Sequence, residues 1–159
     1  MKIEIERKFL VKSDKNLEKW PREHCLQGYL GSGNGVTIRI RIMGKKGFLT
    51  IKGKTVHYSR PEYEYEIPWR EAEEMLHTLC DKPLIEKFRY RVEERGVTWT
   101  IDEFLGENKG LLLAEIELSS EEEVIILPSW LGREVTGDHR YYNVELNRNP
   151  YVRWRAEEK

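Results

Sequence analysis

The stretch MKIEIERKFLV (1–11) decides the fold, because its side chains alternate between two kinds of surface. In an extended strand, Glu4, Glu6 and Lys8 lie on one face, and the opposite face is mostly apolar. The polar face therefore carries two carboxylates and an ammonium group in a row. Such a row is typical either of a strand that faces solvent or of a strand that binds a metal ion.

The same two-residue period, which is the period of a β-strand, recurs along the chain. It predicts further strands at 23–30, 36–44, 48–54, 62–68, 85–94, 96–104 and 110–118. Residues 70–80 instead repeat apolar side chains at helical spacing and predict an amphipathic helix. Short helices are expected at 14–20 and within 129–151, and a helix or turn at 119–123. About eight short strands joined by turns favour an antiparallel barrel or sandwich.

Length and composition favour one folded domain over residues 1–159, with a tail from about 148 that is expected to fray. The net charge of −1 provides no overall basic surface, so nucleic acid is not an expected partner. No apolar stretch is long enough to cross a bilayer and no signal-peptide pattern is present, so a cytoplasmic location without membrane attachment is expected. Cys25 and Cys80 lie far apart and are expected to be reduced thiols.

The charged residues sort by sign along the strands, which alternation alone does not require. Basic rows comprise Arg39 and Arg41, Lys52 and Lys54, and Lys87, Arg89 and Arg91, whereas acidic rows comprise Glu62, Glu64 and Glu66, and Glu115 and Glu117. Like charges so close together repel and need a counter-charge. Carboxylates suit Mg²⁺ or Mn²⁺, and Arg and Lys suit phosphate. The rows together are typical of a site for a metal-complexed polyanion.

Two arrangements of these rows remain open on alternation and sign alone. If the apolar face fills the barrel, the charges form a solvated surface of weak salt bridges. If the apolar face packs outward against helices, the charges line a tunnel. In that second arrangement, Tyr63, Tyr65, Phe88 and Tyr90 are expected to pack under helices, and Lys54 and Arg91 to lie near the rim. The histidines, expected at the surface or in structural roles, are His24, His57, His77 and His139.

An ordered set of motifs resembles the CYTH superfamily, also called the triphosphate tunnel metalloenzymes. The motifs are EIERK (4–8), QGYL (27–30), TIRIRI (37–42), LTIKGK (49–54), EYEYEIP (62–68), EKFRYR (86–91), AEIEL (114–118) and EVTGDHRYYN (134–143). They span nearly the whole chain. The resemblance implies a mainly β (α+β) fold: a closed eight-stranded antiparallel barrel with inward charges, short helices outside and a C-terminal helix that plugs one end.

The resemblance also implies roles for individual residues, with Mg²⁺ or Mn²⁺ as the cofactor. The expected metal ligands are Glu4, Glu6, Glu62, Glu64, Asp102, Glu115 and Glu117. The expected substrate-binding residues are Arg39, Arg41, Lys52, Arg89 and Arg140. The expected catalytic residues are Lys8, Tyr29 and Lys87.

The activity implied by the resemblance is metal-dependent hydrolysis of a small-molecule triphosphate, foremost inorganic tripolyphosphate, to diphosphate and phosphate. A class IV-type adenylyl cyclase, a thiamine triphosphatase and a non-catalytic module that binds polyphosphate or nucleotide are the alternatives. Adenylyl cyclase chemistry would need an adenine and ribose pocket, for which the sequence offers no residues. The carboxylates Glu4, Glu6, Glu115 and Glu117 argue against the non-catalytic module. Exposed aromatic side chains are compatible with a homodimer.

Overall fold

The computed structural model describes residues 1–12 and 16–158, without the side chains of residues 32 and 158, and places all strands in one antiparallel sheet. The strands are β1 (Lys2–Val11), β2 (Arg22–Gly33), β3 (Val36–Met43), β4 (Lys46–Lys52), β5 (Ser59–Ile67), β6 (Ile85–Glu94), β7 (Val97–Phe104), β8 (Leu112–Glu117) and β9 (Leu131–Glu134). The α-helices are α1 (Trp69–Thr78) and α2 (Asn143–Arg148). Short 3-10 helices lie at Leu17–Lys19, Gly106–Asn108, His139–Tyr141, Tyr151–Arg153 and Arg155–Glu158.

Eight of these strands close into a barrel. The neighbours run in the order β5, β4, β3, β2, β6, β7, β8 and β1, and β1 then pairs with β5. Lys2 is opposite Glu62 at this closure, and Lys8 is opposite Glu115 on the other edge of β1. The prediction of a closed eight-stranded antiparallel barrel is therefore confirmed.

The short helices expected within 129–151 are present, but strand β9 also forms there and was not predicted. Strand β5 pairs with β1 only as far as Ile5, and β9 then takes over the same edge, opposite Phe9 and Val11. A four-residue strand that fills such a gap has too few residues to show a period of its own. Of the other expected short elements, 119–123 forms bends and turns, and the helix expected at 14–20 lies partly outside the described residues.

The apolar strand faces pack outward, so the charged rows point into the barrel. Helix α1 covers the outer face of β3 and β4, where Ile40 and Leu76 are fully buried. A second outer cluster contains Tyr90 and Trp99, with Phe88 packed against it. Tyr63 and Tyr65, by contrast, are 40% and 55% exposed, so their expected packing under helices is wrong.

One end of the barrel is plugged by apolar side chains. At this end of the inward rows, the charged residues are replaced by apolar ones. Ile85 is the inward neighbour of Lys87 on β6, and Leu113 is that of Glu115 on β8. The C-terminal segment completes this plug with Tyr141, Leu146 of α2 and Trp154. Trp154 is only 5% exposed and its ring packs edge-on against Tyr141 and Tyr151. The expected fraying from residue 148 therefore does not hold for the segment up to Trp154.

Both cysteines are free and buried, in agreement with the expectation of reduced thiols. Among the described residues, no helix is both long enough and apolar enough to cross a membrane.

Candidate active site

A cavity of about 570 Å³ lies inside the barrel, and its walls are the charged rows of the strands. Of the residues that the sequence singled out for the site, all but Asp102 and Arg140 line it. The strands therefore bring together side chains that are scattered from residue 4 to residue 117. The role of each residue is considered under the proposed function.

Glu4 is held by two cations. Its carboxylate accepts hydrogen bonds from Lys52 Nζ at 2.7 and 2.9 Å and from Arg60 Nε at 3.0 Å. Burial alone would raise the pKa of Glu4, but Lys52 and Arg60 lower it to about 2. Arg60 was missed from the sequence, although it lies two residues before Glu62 on β5 and thus on the same inward face.

Glu6 is the least neutralised carboxylate in the cavity. Within the described part of the chain, no donor lies within hydrogen-bond distance of its oxygens, and its ion contact is Lys8 Nζ at 3.7 Å. Burial and the nearby carboxylate of Glu115 raise the pKa of Glu6. Lys8 instead donates to Glu115 at 2.7 Å. Burial opposes the charge of Lys8, but Glu115 and Glu6 raise the pKa of this ammonium group above its usual value.

Asp102 lies on the inward face opposite Arg89, but Lys87 and Arg89 cover it, and it neutralises these two cations. Lys87 Nζ donates to one of its oxygens at 2.7 Å, and Arg89 donates to both at 2.7 Å. Burial would raise the pKa of Asp102, but Arg89 and Lys87 lower it. Since both oxygens are engaged and Asp102 is 1% exposed, the geometry does not favour the expected metal ligand.

Lys87 and Tyr29 meet at the plugged end of the cavity. Lys87 also donates to Asn143 Oδ1 at 2.9 Å, and burial lowers the pKa of Lys87 to about 8 despite Asp102. Tyr29 Oη accepts from Gln27 Nε2 at 2.9 Å, which leaves the tyrosine proton available to donate. Burial raises the pKa of Tyr29, so this proton is retained at neutral pH.

Arg39 and Arg41 form a cationic wall with spare donors. Glu64 is 3.4 Å from Arg39 and 3.6 Å from Arg41, and it also accepts from Thr50 at 2.9 Å. The Nε atoms of both arginines are buried and have no hydrogen-bond partner among the described residues. Burial, together with the cations Arg39 and Arg89, lowers the pKa of Arg41 to about 10. Such crowded cations with unpaired donors are arranged to receive an anion.

The wide mouth of the cavity is lined by more exposed groups. Glu117 pairs there with Lys2 at 2.5 Å, and both side chains are more than half exposed. Glu62 is nearer the interior, 3.5 Å from Lys52. Tyr142 and Asn143 of the C-terminal segment also line the cavity and were missed from the sequence, because their position depends on how that segment folds back.

Arg140 lies outside the cavity. Its guanidinium group pairs with Asp138 at 2.8 Å and lies over the rings of Tyr141 and Trp154. Asp138 also accepts from the backbone N–H of Arg140, as expected of a capping residue. Arg140 thus stabilises the plug and is not placed to contact a ligand in the cavity.

The remaining charged groups lie at the surface, as expected. Arg91 pairs with Glu93 at 3.1 Å at the exposed end of β6, and Lys54 is exposed. All four histidines are exposed, and His24 contacts Glu86 at 2.8 Å. Over residues 1–12 and 16–158, no three side chains of the metal-binding types form a ready-made ligand cluster. The carboxylates of the cavity are instead interleaved with cations.

The sequence profile of the CYTH domain matches residues 2–146. The chain belongs to the CYTH family. An inorganic triphosphatase of Acetivibrio thermocellus is 52% identical over 150 residues, which cover 93% of this chain and 95% of that protein. An inorganic triphosphatase of Nitrosomonas europaea is 38% identical over 149 residues, covering 90% and 95%. A crystal structure of an inorganic triphosphatase superposes with a TM-score of 0.67 at 33% identity, covering 92% of this chain and 95% of the other.

Proposed function

We propose that this CYTH protein hydrolyses inorganic triphosphate to diphosphate and orthophosphate with the help of Mg²⁺ or Mn²⁺. The observation that carries the proposal is the buried pair Arg39 and Arg41, whose Nε donors lack partners among the described residues. A polyphosphate supplies the missing acceptors and the missing negative charge. The two relatives named inorganic triphosphatase support the same activity.

Phosphate groups are bound by the basic residues of the cavity. Arg39 and Arg41 bind from β3, Lys52 from β4 and Arg89 from β6. Arg60 joins this set in place of Arg140, because it lines the cavity and Arg140 does not. Cations in a partly desolvated cavity neutralise the substrate and stabilise the charge that develops on the transferred phosphoryl group.

The acidic residues fit a divalent cation, although they do not form a closed cage. Glu4 and Glu6 of β1 lie beside Glu115 and Glu117 of the neighbouring strand β8. Mg²⁺ typically uses one or two carboxylates, waters and substrate phosphates, so a partly built oxygen site is what it needs. Glu6 is the foremost ligand because its oxygens are not engaged by a donor in the described chain. When bound, the metal polarises phosphate oxygens and lowers the pKa of water.

Glu62 and Glu64 remain secondary ligand candidates, since both line the cavity but lie beside the basic residues. Asp102 is reassigned from metal ligand to a positioning residue. It fixes Lys87 and Arg89 by charged hydrogen bonds from beneath them on the inward face.

Three residues of the chain stabilise the groups that change charge. A water oxygen forms a bond to the terminal phosphorus while the bridging P–O bond breaks, and the electron pair leaves with diphosphate. Lys87 and Tyr29 direct N–H and O–H donors into the plugged end of the cavity, where they neutralise this leaving group. Lys8 holds Glu115 in place and contributes positive charge beside Glu6. The proton of the water passes to solvent.

The test is phosphate release from tripolyphosphate, ATP and thiamine triphosphate with Mg²⁺, Mn²⁺ or EDTA. We expect release from tripolyphosphate that EDTA abolishes, and loss of that release in Glu6→Gln. The matched control is Glu93→Gln, an exposed glutamate at the end of β6 that is not among the residues lining the cavity, which should keep wild-type rates. Metal-independent release, or full activity of Glu6→Gln, would refute the proposal.

A further inference from the structure

The barrel wall has a gap beside Glu6, on the edge where β1 changes partners. Strand β5 pairs with this edge up to Ile5, and β9 pairs with it from Phe9. Between them, the backbone N–H of Lys8 donates to a side chain, Thr136 Oγ1, at 2.9 Å. The Lys8 carbonyl also accepts from the backbone N–H of Val135, just after β9, at 2.8 Å. The stretch that neither strand pairs with is therefore residues 6 and 7.

A second, much smaller cavity of about 20 Å³ lies at this gap. Its outer lining is Thr55, Tyr58, Thr136 and Gly137. Its inner lining is shared with the main cavity and consists of Glu4, Glu6, Lys8, Arg60 and Tyr142. A layer one side chain thick thus separates the two cavities, and that layer includes the least neutralised carboxylate of the site.

We propose that this gap is a water port, through which the attacking water reaches the substrate separately from the substrate's own route. The inference rests on the proposed function. Size supports it, because about 20 Å³ exceeds the ~10–15 Å³ that one water needs, whereas orthophosphate has five heavy atoms. The wide mouth then serves the substrate and both products.

The distribution of charge also supports separate routes for water and for the anionic substrate and products. At the inner end of the port, the carboxylates of Glu4 and Glu6 balance the cations Arg60 and Lys8, so the port presents no excess positive charge to an anion. The main cavity offers Arg39, Arg41 and Arg89 to anions. The hydroxyl groups of Thr55, Thr136 and Tyr58 and the oxygens of Glu6 give a water the polar partners that it needs.

The test blocks the port with chemical tags of increasing size. Thr55 is exposed and carries no assigned role in the site, whereas Cys25 and Cys80 are buried. Thr55→Cys can therefore be tagged with methyl, ethyl or benzyl methanethiosulfonate, and the tag removed with dithiothreitol. Thr98→Cys at the wide mouth is the matched control, and reagent-treated wild type reports any reaction of the native thiols.

We expect the single-turnover rate of metal-preincubated Thr55→Cys to fall with tag size, at least about tenfold for the benzyl tag, and to recover with dithiothreitol. Metal-free tripolyphosphate binding, measured by calorimetry, should not change. The same tags on Thr98→Cys should raise KM.

Each contrary result overturns the port. An unchanged rate with the benzyl tag means that water enters elsewhere. A slower steady state with an unchanged single turnover means that the gap releases product, and a defect cured by longer metal preincubation means that it admits the cation. If untagged Thr55→Cys and wild type both fail to hydrolyse tripolyphosphate, the proposed function is refuted. The proposal of a water port is then refuted as well.

Discussion

At the scale of single residues, the ion pairs of Asp102 with Lys87 and Arg89 determine both stability and chemistry. Asp102 neutralises Lys87 and Arg89, and Asp102 and Lys87 are almost inaccessible to solvent. Asp102→Asn would leave two buried cations with too little negative charge. We expect a loss of about 3–5 kcal/mol in the free energy of unfolding, measured by urea denaturation.

The matched control for Asp102→Asn is Glu93→Gln. Glu93 lies on β6 in an exposed pair with Arg91 and should cost less than about 1 kcal/mol. Equal destabilisation by the two substitutions would show that Asp102 is not the counter-ion that its hydrogen bonds indicate.

The lowered pKa of Lys87 predicts an alkaline limit to activity. Because burial lowers this pKa to about 8, the ammonium group loses its proton well below the usual 10.5 of lysine. A cation that binds the leaving group is then lost as pH rises through 8, so kcat/KM should fall above that pH. Lys87→Arg keeps its charge and should move the limit upward. A limit that stays at pH 8 in Lys87→Arg belongs to another group.

At the scale of secondary structure, α1 lies close to the sheet because Gly47 has no side chain. A Cβ at this position would be 2.7 Å from Ala72 Cβ and 3.0 Å from a backbone oxygen of Ile67. Gly47→Ala should therefore push α1 outward and lower the free energy of unfolding by about 1–3 kcal/mol. The control is Gly33→Ala, whose added Cβ would have no atom within 4 Å. The stability of both variants is measured by thermal unfolding.

The C-terminal segment gives a second prediction at this scale. Trp154 is buried in the plug with Tyr141 and Leu146, so Trp154→Ala should cost about 3–5 kcal/mol in urea denaturation. Val152 is 45% exposed, and Val152→Ala should have little effect. A Trp154→Ala protein as stable as the wild type would restore the interpretation of a frayed tail.

These elements also show what the sequence could and could not predict. The two-residue period on β1 and β8 placed Glu4, Glu6 and Glu115 on inward faces, and the sign of the charges identified the lining of the cavity. The depth of each residue along the barrel depends on strand tilt and register, which alternation does not encode. Asp102 was therefore expected to be accessible in the cavity, although Lys87 and Arg89 cover it on the inward face. Arg140 depends on the path of the C-terminal segment, which has no periodic signal.

At the scale of the whole molecule, a net charge of −1 conceals strong internal sorting of charge. The cations around Arg41 repel one another, and this repulsion lowers the stability of the folded protein. A bound polyanion would neutralise them and remove that cost. Tripolyphosphate in EDTA should therefore stabilise the fold. At a hundred times Kd, the gain is about 2.7 kcal/mol, or roughly 5–10 °C in Tm.

Arg41→Gln tests the source of this stabilisation. The substitution removes a crowded cation, so tripolyphosphate should raise the Tm of this variant less than it raises that of the wild type, measured by scanning calorimetry. An equal rise in Tm would place the polyanion elsewhere on the molecule.

The closure of the barrel has a consequence for how the chain folds during its synthesis. Strand β1 is made first, yet Lys8 meets Glu115 across 107 residues, and β9 joins β1 later still along the chain. Contacts of such long range form slowly, since a large loop must close before they stabilise anything. On the ribosome, β1 can pair with β5 early, but its other edge, opposite Glu115 and Glu117, stays unpaired until β8 has emerged. Polyphosphate binding is therefore acquired in the last steps of folding, and a nascent or truncated chain has no means to compete for the ligand.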